Sequence, residues 1–340
     1  MGFFYIAEKK KGGNTMIQKA IRKLSLPLFA SAGITAAGLI LYQRISLHRA
    51  SRKGDKTPFE SYTTPDGVSM AYERFGYGRP VVLLHSLHPG ASRREWHPQI
   101  EKLAKDFRVY TVDLPGFGQS DKPTKPWTAY QYAKALHSFL SDVIGKPVAL
   151  AAANGGADIA LVLSMLYPED LKKLVLISPE GIGRGFATPN DTQQLKKLLS
   201  PVIGTQAFLD GTSKKALRLL AEELFYQKER MPVDFVKNLK QNARYGKGAQ
   251  ASYAGYVTRF AAADTKQAFA SLSLPFLLIW GERNVRNSAV YLEEAENLQE
   301  KGEFMLFEDT AALPHMENSK AFSQILKDFL SEEDLERKAM

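Results

Sequence analysis

Five short apolar runs, spaced by segments of helical periodicity, constrain this chain more than any other feature. They are PVVLL at 80–84, FRVYTVDL at 107–114, VALA at 148–151, LVLIS at 174–178 and LPFLLIW at 274–280. A strand that is apolar on consecutive residues, rather than alternate ones, is covered on both faces. Residues 96–104, 128–144 and 156–167 carry apolar side chains at helical spacing between those runs. Parallel strands joined by helices make an α/β sheet with helices on both sides. Residues 181–270 break the alternation with helical segments such as SKKALRLLAEELF and PVDFVKNLKQNAR. A helical insertion in such a sheet is expected to cap the carboxyl edge of the strands, where these sheets bind ligands. The core is therefore expected over 58–180 and 271–330, with a polar tail over 331–340.

Charge location excludes one class of partner. The 340-residue chain carries a net charge of +9, but residues 1–57 hold eleven Lys/Arg against Glu8 and Asp55, which accounts for all of it. Residues 58–340 hold 34 basic and 34 acidic side chains, so the body has no electrostatic footprint for nucleic acid. The absence of cysteine excludes disulfides, thiolate metal sites and a cysteine nucleophile. No phosphate loop, dinucleotide fingerprint or metal-ligand spacing is present, so neither a cofactor nor a metal is expected.

The N-terminal segment reads as a membrane anchor. After a basic tail over 1–23, residues 24–43 (LSLPLFASAGITAAGLILYQ) contain no charge. As a helix they would span roughly 30 Å, the thickness of a hydrocarbon core. A basic linker follows over 44–57. The small-x-small pattern at Ala30 and Ala32 does not favour a cleaved signal peptide, because the apolar run continues past it. Lys10-Lys11-Gly12-Gly13 reads like a translated ribosome-binding site, which makes Met16 the expected start. The excess of basic residues then follows the span, and a cell-membrane protein with a cytoplasmic body is expected. The bilayer is the partner expected for residues 24–43.

The string VVLLHSLHPGASRREWHPQIEKLAKDFRVYTVDLPGFGQSDKP resembles the α/β-hydrolase superfamily, in its branch of cap-bearing esterases, C–C hydrolases and chlorophyll-dephytylase-like enzymes. YPEDLKKLVLISP, LPFLLIWGE and LPHMENSKAF are similar to it in the same order, so the likeness covers about residues 58–330. The resemblance implies an α/β-hydrolase fold with a nucleophile on a sharp G-x-S-x-G turn between a strand and a helix. Counting back from Tyr167-Pro168, that turn is Ala152-Ala-Asn154-Gly-Gly156, with Asn154 at the nucleophile; a one-residue slip places Ala153 there. The acid position of the family falls on Asn284 in Trp280-Gly-Glu-Arg-Asn284, and the base position on Ala312 in Ala312-Leu-Pro-His315. None of the three can attack a carbonyl, take its proton or orient an imidazole.

The backbone N–H groups of Leu87 and Gly155 are the oxyanion-type donors that the resemblance implies. Ser86 with His88, or Glu180 with His315, are the candidates for a displaced catalytic arrangement. Three readings remain open. One is a triad-deficient protein that binds an apolar carbonyl or acyl ligand under the cap, or a protein partner. The second is a hydrolase using displaced groups on an ester or lipid-like substrate. The third is a purely structural interaction domain.

Overall fold

The structure, a computed structural model, describes residues 36–51, 57–183 and 192–339. In chain order it comprises α1 (Ala36–Ser51), β1 (Glu60–Thr63), β2 (Ser69–Phe75), β3 (Arg79–Leu84), α2 (His97–Leu103), β4 (Phe107–Val112) and α3 (Ala129–Phe139). Then follow β5 (Val148–Ala153), α4 (Gly155–Leu166) and β6 (Leu171–Ile177). The insertion supplies α5 (Thr192–Leu199), α6 (Ile203–Gly211), α7 (Lys214–Leu224), α8 (Phe235–Arg244) and α9 (Ala249–Val257). The chain returns through α10 (Lys266–Ala270), β7 (Phe276–Gly281), α11 (Val290–Leu298), β8 (Glu303–Phe307) and α12 (Ser319–Ala339).

Eight strands form one sheet in the order β1-β2-β4-β3-β5-β6-β7-β8. The first two pairings, β1 with β2 and β2 with β4, are antiparallel, and every other pairing is parallel. Alternation along β3 explains its continuous apolar run. Val81 and Leu83 pack with Trp96, Leu103 and Phe322 on one face, while Val82 and Leu84 pack with Leu136 and Phe139 on the other. Period-2 geometry sends neighbours to opposite faces, and helices cover both.

The cap rests on the sheet edge through a helical stripe. Leu217, Leu220, Ala221 and Leu224 recur on one face of α7 and pack with Leu239 of α8 against Ala312 and Leu313. Past the cap, Ala268 and Phe269 of α10 are already part of the sheet's own core.

The N-terminal expectation falls mostly outside the described residues. No helix among the described residues is long and apolar enough to cross a membrane. Residues 24–35 of the expected span, the expected start at Met16 and residues 52–56 of the linker lie outside the described residues. The last part of the expected span forms the start of α1, which continues to Ser51 and is seated on the cap. The Gln43 amide, 3% exposed, donates to the Val202 carbonyl at 3.1 Å and to Gln206 Oε1 at 3.3 Å. Leu47, one turn on, packs against the α5–α6–α9 cluster. Residues four apart share a helix face, so this stretch binds protein on one side. Its other side presents Ile40, Leu41, Tyr42 and Ile45 outward.

Candidate functional site

The turn from β5 to α4 is built on Asn154. Its backbone stands at φ 50° and ψ −123°, a strained conformation for a residue with a side chain. Two main-chain hydrogen bonds hold it there: Asn154 N–H donates to the Ile177 carbonyl, and the Asn154 carbonyl accepts from Ala157 N–H. Gly156 follows where a Cβ would come within 2.3 Å of the His85 carbonyl, so the helix can start against the first loop only with glycine there. Ala153 is the last residue of the strand. Asn154 therefore occupies the head of the turn.

What surrounds Asn154 is polar but fully engaged. Its amide nitrogen donates to Ser86 Oγ at 3.0 Å and to the Ala312 carbonyl at 3.1 Å. Ser86 Oγ donates in turn to Glu95 Oε1 at 2.8 Å, and the Ser86 N–H reaches both oxygens of that carboxylate at 3.2–3.3 Å. His315 Nε2 donates to Glu95 Oε1 at 3.0 Å, its ring stacked on Trp96 at 4.5 Å between centroids. Burial would raise the Glu95 carboxyl, but the hydrogen bond and charge of His315, with His88 and His85 nearby, pull it below its usual range. A buried carboxylate at the centre of these donors is the organising charge of the loop.

The displaced pairs weighed from the sequence are not formed. Ser86 meets Glu95 rather than His88, and His315 meets Glu95 rather than Glu180. His88 Nδ1 faces the Pro89 carbonyl at 3.4 Å, while its Nε2 stands 4.0 Å from Glu95 with no hydrogen-bond partner among the described residues. Burial pushes this imidazole down to about 4, so it is neutral near pH 7. Glu180 begins a single helical turn, Glu180–Gly183, and its charge acts on Asp158, Arg286 and Tyr256. Leu87 and Gly155, the expected oxyanion donors, are brought together: a Cβ on Gly155 would touch the Leu87 side chain at 3.0 Å.

At the acid position, Asn284 is 4% exposed and its side-chain oxygen accepts from the backbone N–H groups of Arg286 and Asn287, both at 3.1 Å. It ties its own loop. At the base position, Ala312 is fully buried, and its N–H donates to the Leu224 carbonyl of the cap at 3.2 Å. Glu317 fastens the same contact, accepting from Ala311 N–H on one side and from Tyr226 and Gln227 N–H on the other. Across the mouth, Arg286 bridges core and cap, donating to Glu223 at 2.8 Å and to the Tyr256 hydroxyl at 2.7 Å. Burial would lower this guanidinium, but Tyr256, Glu180 and Glu223 hold it well above the usual arginine range.

Beside the first loop a cavity of about 280 Å³ remains, lined by His88, Ser92, Glu95, Phe235, Leu239, Asn242 and Met316 among others. Its lining is mixed: Arg94, His97, Asp234 and Asn238 stand in the same wall as Phe235, Leu239 and Met316, so a small ligand there would meet both polar and apolar groups. Sequence reasoning missed Glu95 and Arg286, which read as members of charged loops. One group elsewhere, His137, Glu169 and Asp170, brings ligand atoms within 4.8 Å of one another and could hold a metal. It lies at the amino end of β6, the opposite edge of the sheet from Asn154.

Comparisons place the chain among known proteins. Residues 79–319 match the family described as alpha/beta hydrolase fold. Over 135 residues the chain is 33% identical to a 2-hydroxy-6-oxo-6-(2'-aminophenyl)hexa-2,4-dienoic acid hydrolase of Metapseudomonas resinovorans, covering 39% of this chain and 46% of that protein. The chain thus spans less than half the length of that relative. A pimeloyl-[acyl-carrier protein] methyl ester esterase of Vibrio campbellii is 24% identical over 278 residues, covering 77% of this chain and 98% of the esterase. Among solved structures, a membrane phospholipase A described as a bacterial virulence factor superposes with a TM-score of 0.65 at 20% identity, covering 93% of this chain and 98% of its own. The family match takes in well over half of the chain and runs from β3 to the start of α12, so this protein is a member of the α/β-hydrolase fold family.

Proposed function

We propose that this protein is tethered to a membrane by its N-terminal segment and binds an apolar acyl or carbonyl ligand under its cap without cleaving it. The observation that carries the reading is the hydrogen-bond pattern at Asn154. An amide stands at the head of the turn, its two donors engaged by Ser86 and Ala312. The nearby hydroxyl, Ser86, accepts a hydrogen bond from that amide and donates its own to a carboxylate. A serine nucleophile needs the reverse polarity, an imidazole that removes its proton and a carboxylate behind the imidazole. Loss of a whole triad lowers turnover by about 10⁶ in a comparable enzyme. The cavity beside His88 and Glu95 supports retention of a small ligand.

The membrane part of the reading is supported by the uncharged run over 24–43 and by the match to a membrane phospholipase A over 93% of this chain. The basic excess after that run favours a cytoplasmic body. Purified full-length protein is expected to take no fluorophosphonate label, to turn over no short-chain chromogenic ester and to gain thermal stability from fatty acids. A covalent fluorophosphonate adduct would overturn the reading. Absence of any stabilisation by acyl ligands would favour a structural interaction domain instead.

A second reading, an ester hydrolase with displaced groups, draws on the activities of the named relatives and on the continuous Ser86–Glu95–His315 hydrogen-bond run. It requires ester turnover that disappears in Ser86→Ala.

A further inference from the structure

A second, larger hollow lies on the cap and shares only Pro232 with the cavity beside the first loop. It measures about 720 Å³ and runs between α7, α8 and the N-terminal helix α1, which contributes Ser46. Six of its lining residues are cationic, namely Lys214, Arg218, Lys228, Lys237, Lys240 and Arg244, and none is acidic. Helical spacing produces this. Lys214 and Arg218 are four apart on α7, while Lys237, Lys240 and Arg244 follow at three and four on α8. The neighbouring stripe of α7 and Leu239 of α8 pack over Ala312.

These cations are poorly compensated. Among the described residues only Arg218 has an ion-pair partner, Glu222 at 3.3 Å, and Arg244 donates to the neutral Thr212 hydroxyl and Leu209 carbonyl. Burial together with the charges of Arg244 and Lys214 lowers the Lys240 ammonium. Asp210 offsets part of the Arg244 charge, but Lys214, Lys228, Lys237 and Lys240 have no ion-pair partner among the described residues, and convergent like charges favour an anion between them. At the rim of the hollow Val233 is fully exposed, and elsewhere on α1 Leu41 and Ile45 also face outward. Cations beside projecting apolar residues are the composition of a surface that lies in a bilayer interface.

We propose that this face of the cap docks on anionic phospholipid headgroups, held against the membrane by the segment that leads into α1. The proposal extends the membrane part of the reading above and is independent of ligand binding under the cap.

The chain has no cysteine, so Val233→Cys gives a single labelling position in the full-length protein. With an environment-sensitive fluorophore there, vesicles of phosphatidylcholine plus phosphatidylglycerol are expected to shift the emission to the blue, and added salt to reverse the shift. Each cation near an anionic surface strengthens binding by about fivefold, so Lys228→Glu, Lys237→Glu and Lys240→Glu together should weaken the response by at least roughly tenfold. An equal shift on pure phosphatidylcholine, an unchanged shift in the triple variant, or no shift at all would overturn the proposal. So would a shift produced by free glycerol phosphate without vesicles. Co-sedimentation with neutral vesicles reads the tether alone. If it fails while the lysine-dependent shift persists, the tether is wrong and the docking face stands.

Discussion

His88 and Glu95 face each other 4.0 Å apart in the same loop, and burial acts on them in opposite ways. Glu95 keeps its charge because three donors surround it, whereas at His88 burial outweighs the pull of Glu95 and of the Pro89 carbonyl on a second proton. The unfolded chain takes up a proton on histidine near pH 6.5, but the folded chain does so on His88 only near 4. The fold is therefore expected to lose stability as pH falls through that window, by up to about 3 kcal/mol, and to lose no more from this group below it. His88→Gln should flatten that part of the curve, as read from urea midpoints at successive pH values. Glu95→Ala should cost about 2–4 kcal/mol in chemical denaturation, because it strands the Ser86 and His315 donors in a dry loop. Glu95→Gln, which keeps an acceptor, should cost less.

Cap and core meet element to element through backbone hydrogen bonds as well as leucines. Glu317 binds three N–H groups, one in its own loop and two just after α7. Glu317→Ala is expected to destabilise by about 1–3 kcal/mol and to speed hydrogen exchange at Tyr226, Gln227 and Ala311, with the amides of β3 and β5 unchanged. Uniform acceleration across the sheet would show instead that the cap has no separate stability. The parallel strands were legible from their apolar runs, since burial on both faces leaves no polar alternation. β1 was not legible: ESYT is half-exposed at an antiparallel edge, so its apolar content is too low to mark a strand. Residues 36–43 of α1 read as the end of a membrane span because the run over 24–43, Gln43 included, carries no charge. In the fold the Gln43 amide is satisfied by Val202 and Gln206, a pairing across about 160 residues that no local pattern carries.

For the whole molecule, the question is whether the family's chemistry can be put back. Asn154→Ser, Asn284→Asp and Ala312→His together should confer fluorophosphonate labelling and measurable turnover of a short-chain ester above the parent protein. The third change places an imidazole among Leu224, Leu313 and their neighbours, and should lower stability by about 1–3 kcal/mol through overpacking. A folded triple variant that stays inert would mean that the cap, fastened by Glu317 and Arg286, has closed the crevice to substrate.

The sequence alone determined the sheet, the cap, the family resemblance and the turn on which Asn154 stands, because each is written in apolar periodicity or in contiguous motifs. Tertiary structure decided which polar groups meet. Glu95 is joined to His315 from 220 positions away, and Arg286 to Glu223 and Tyr256 of the cap. A charged residue reads as solvated until the fold shows what covers it, since its burial depends on partners supplied by distant elements. For the same reason, the row of cations on the cap acquires its meaning only when α7, α8 and α1 are brought side by side.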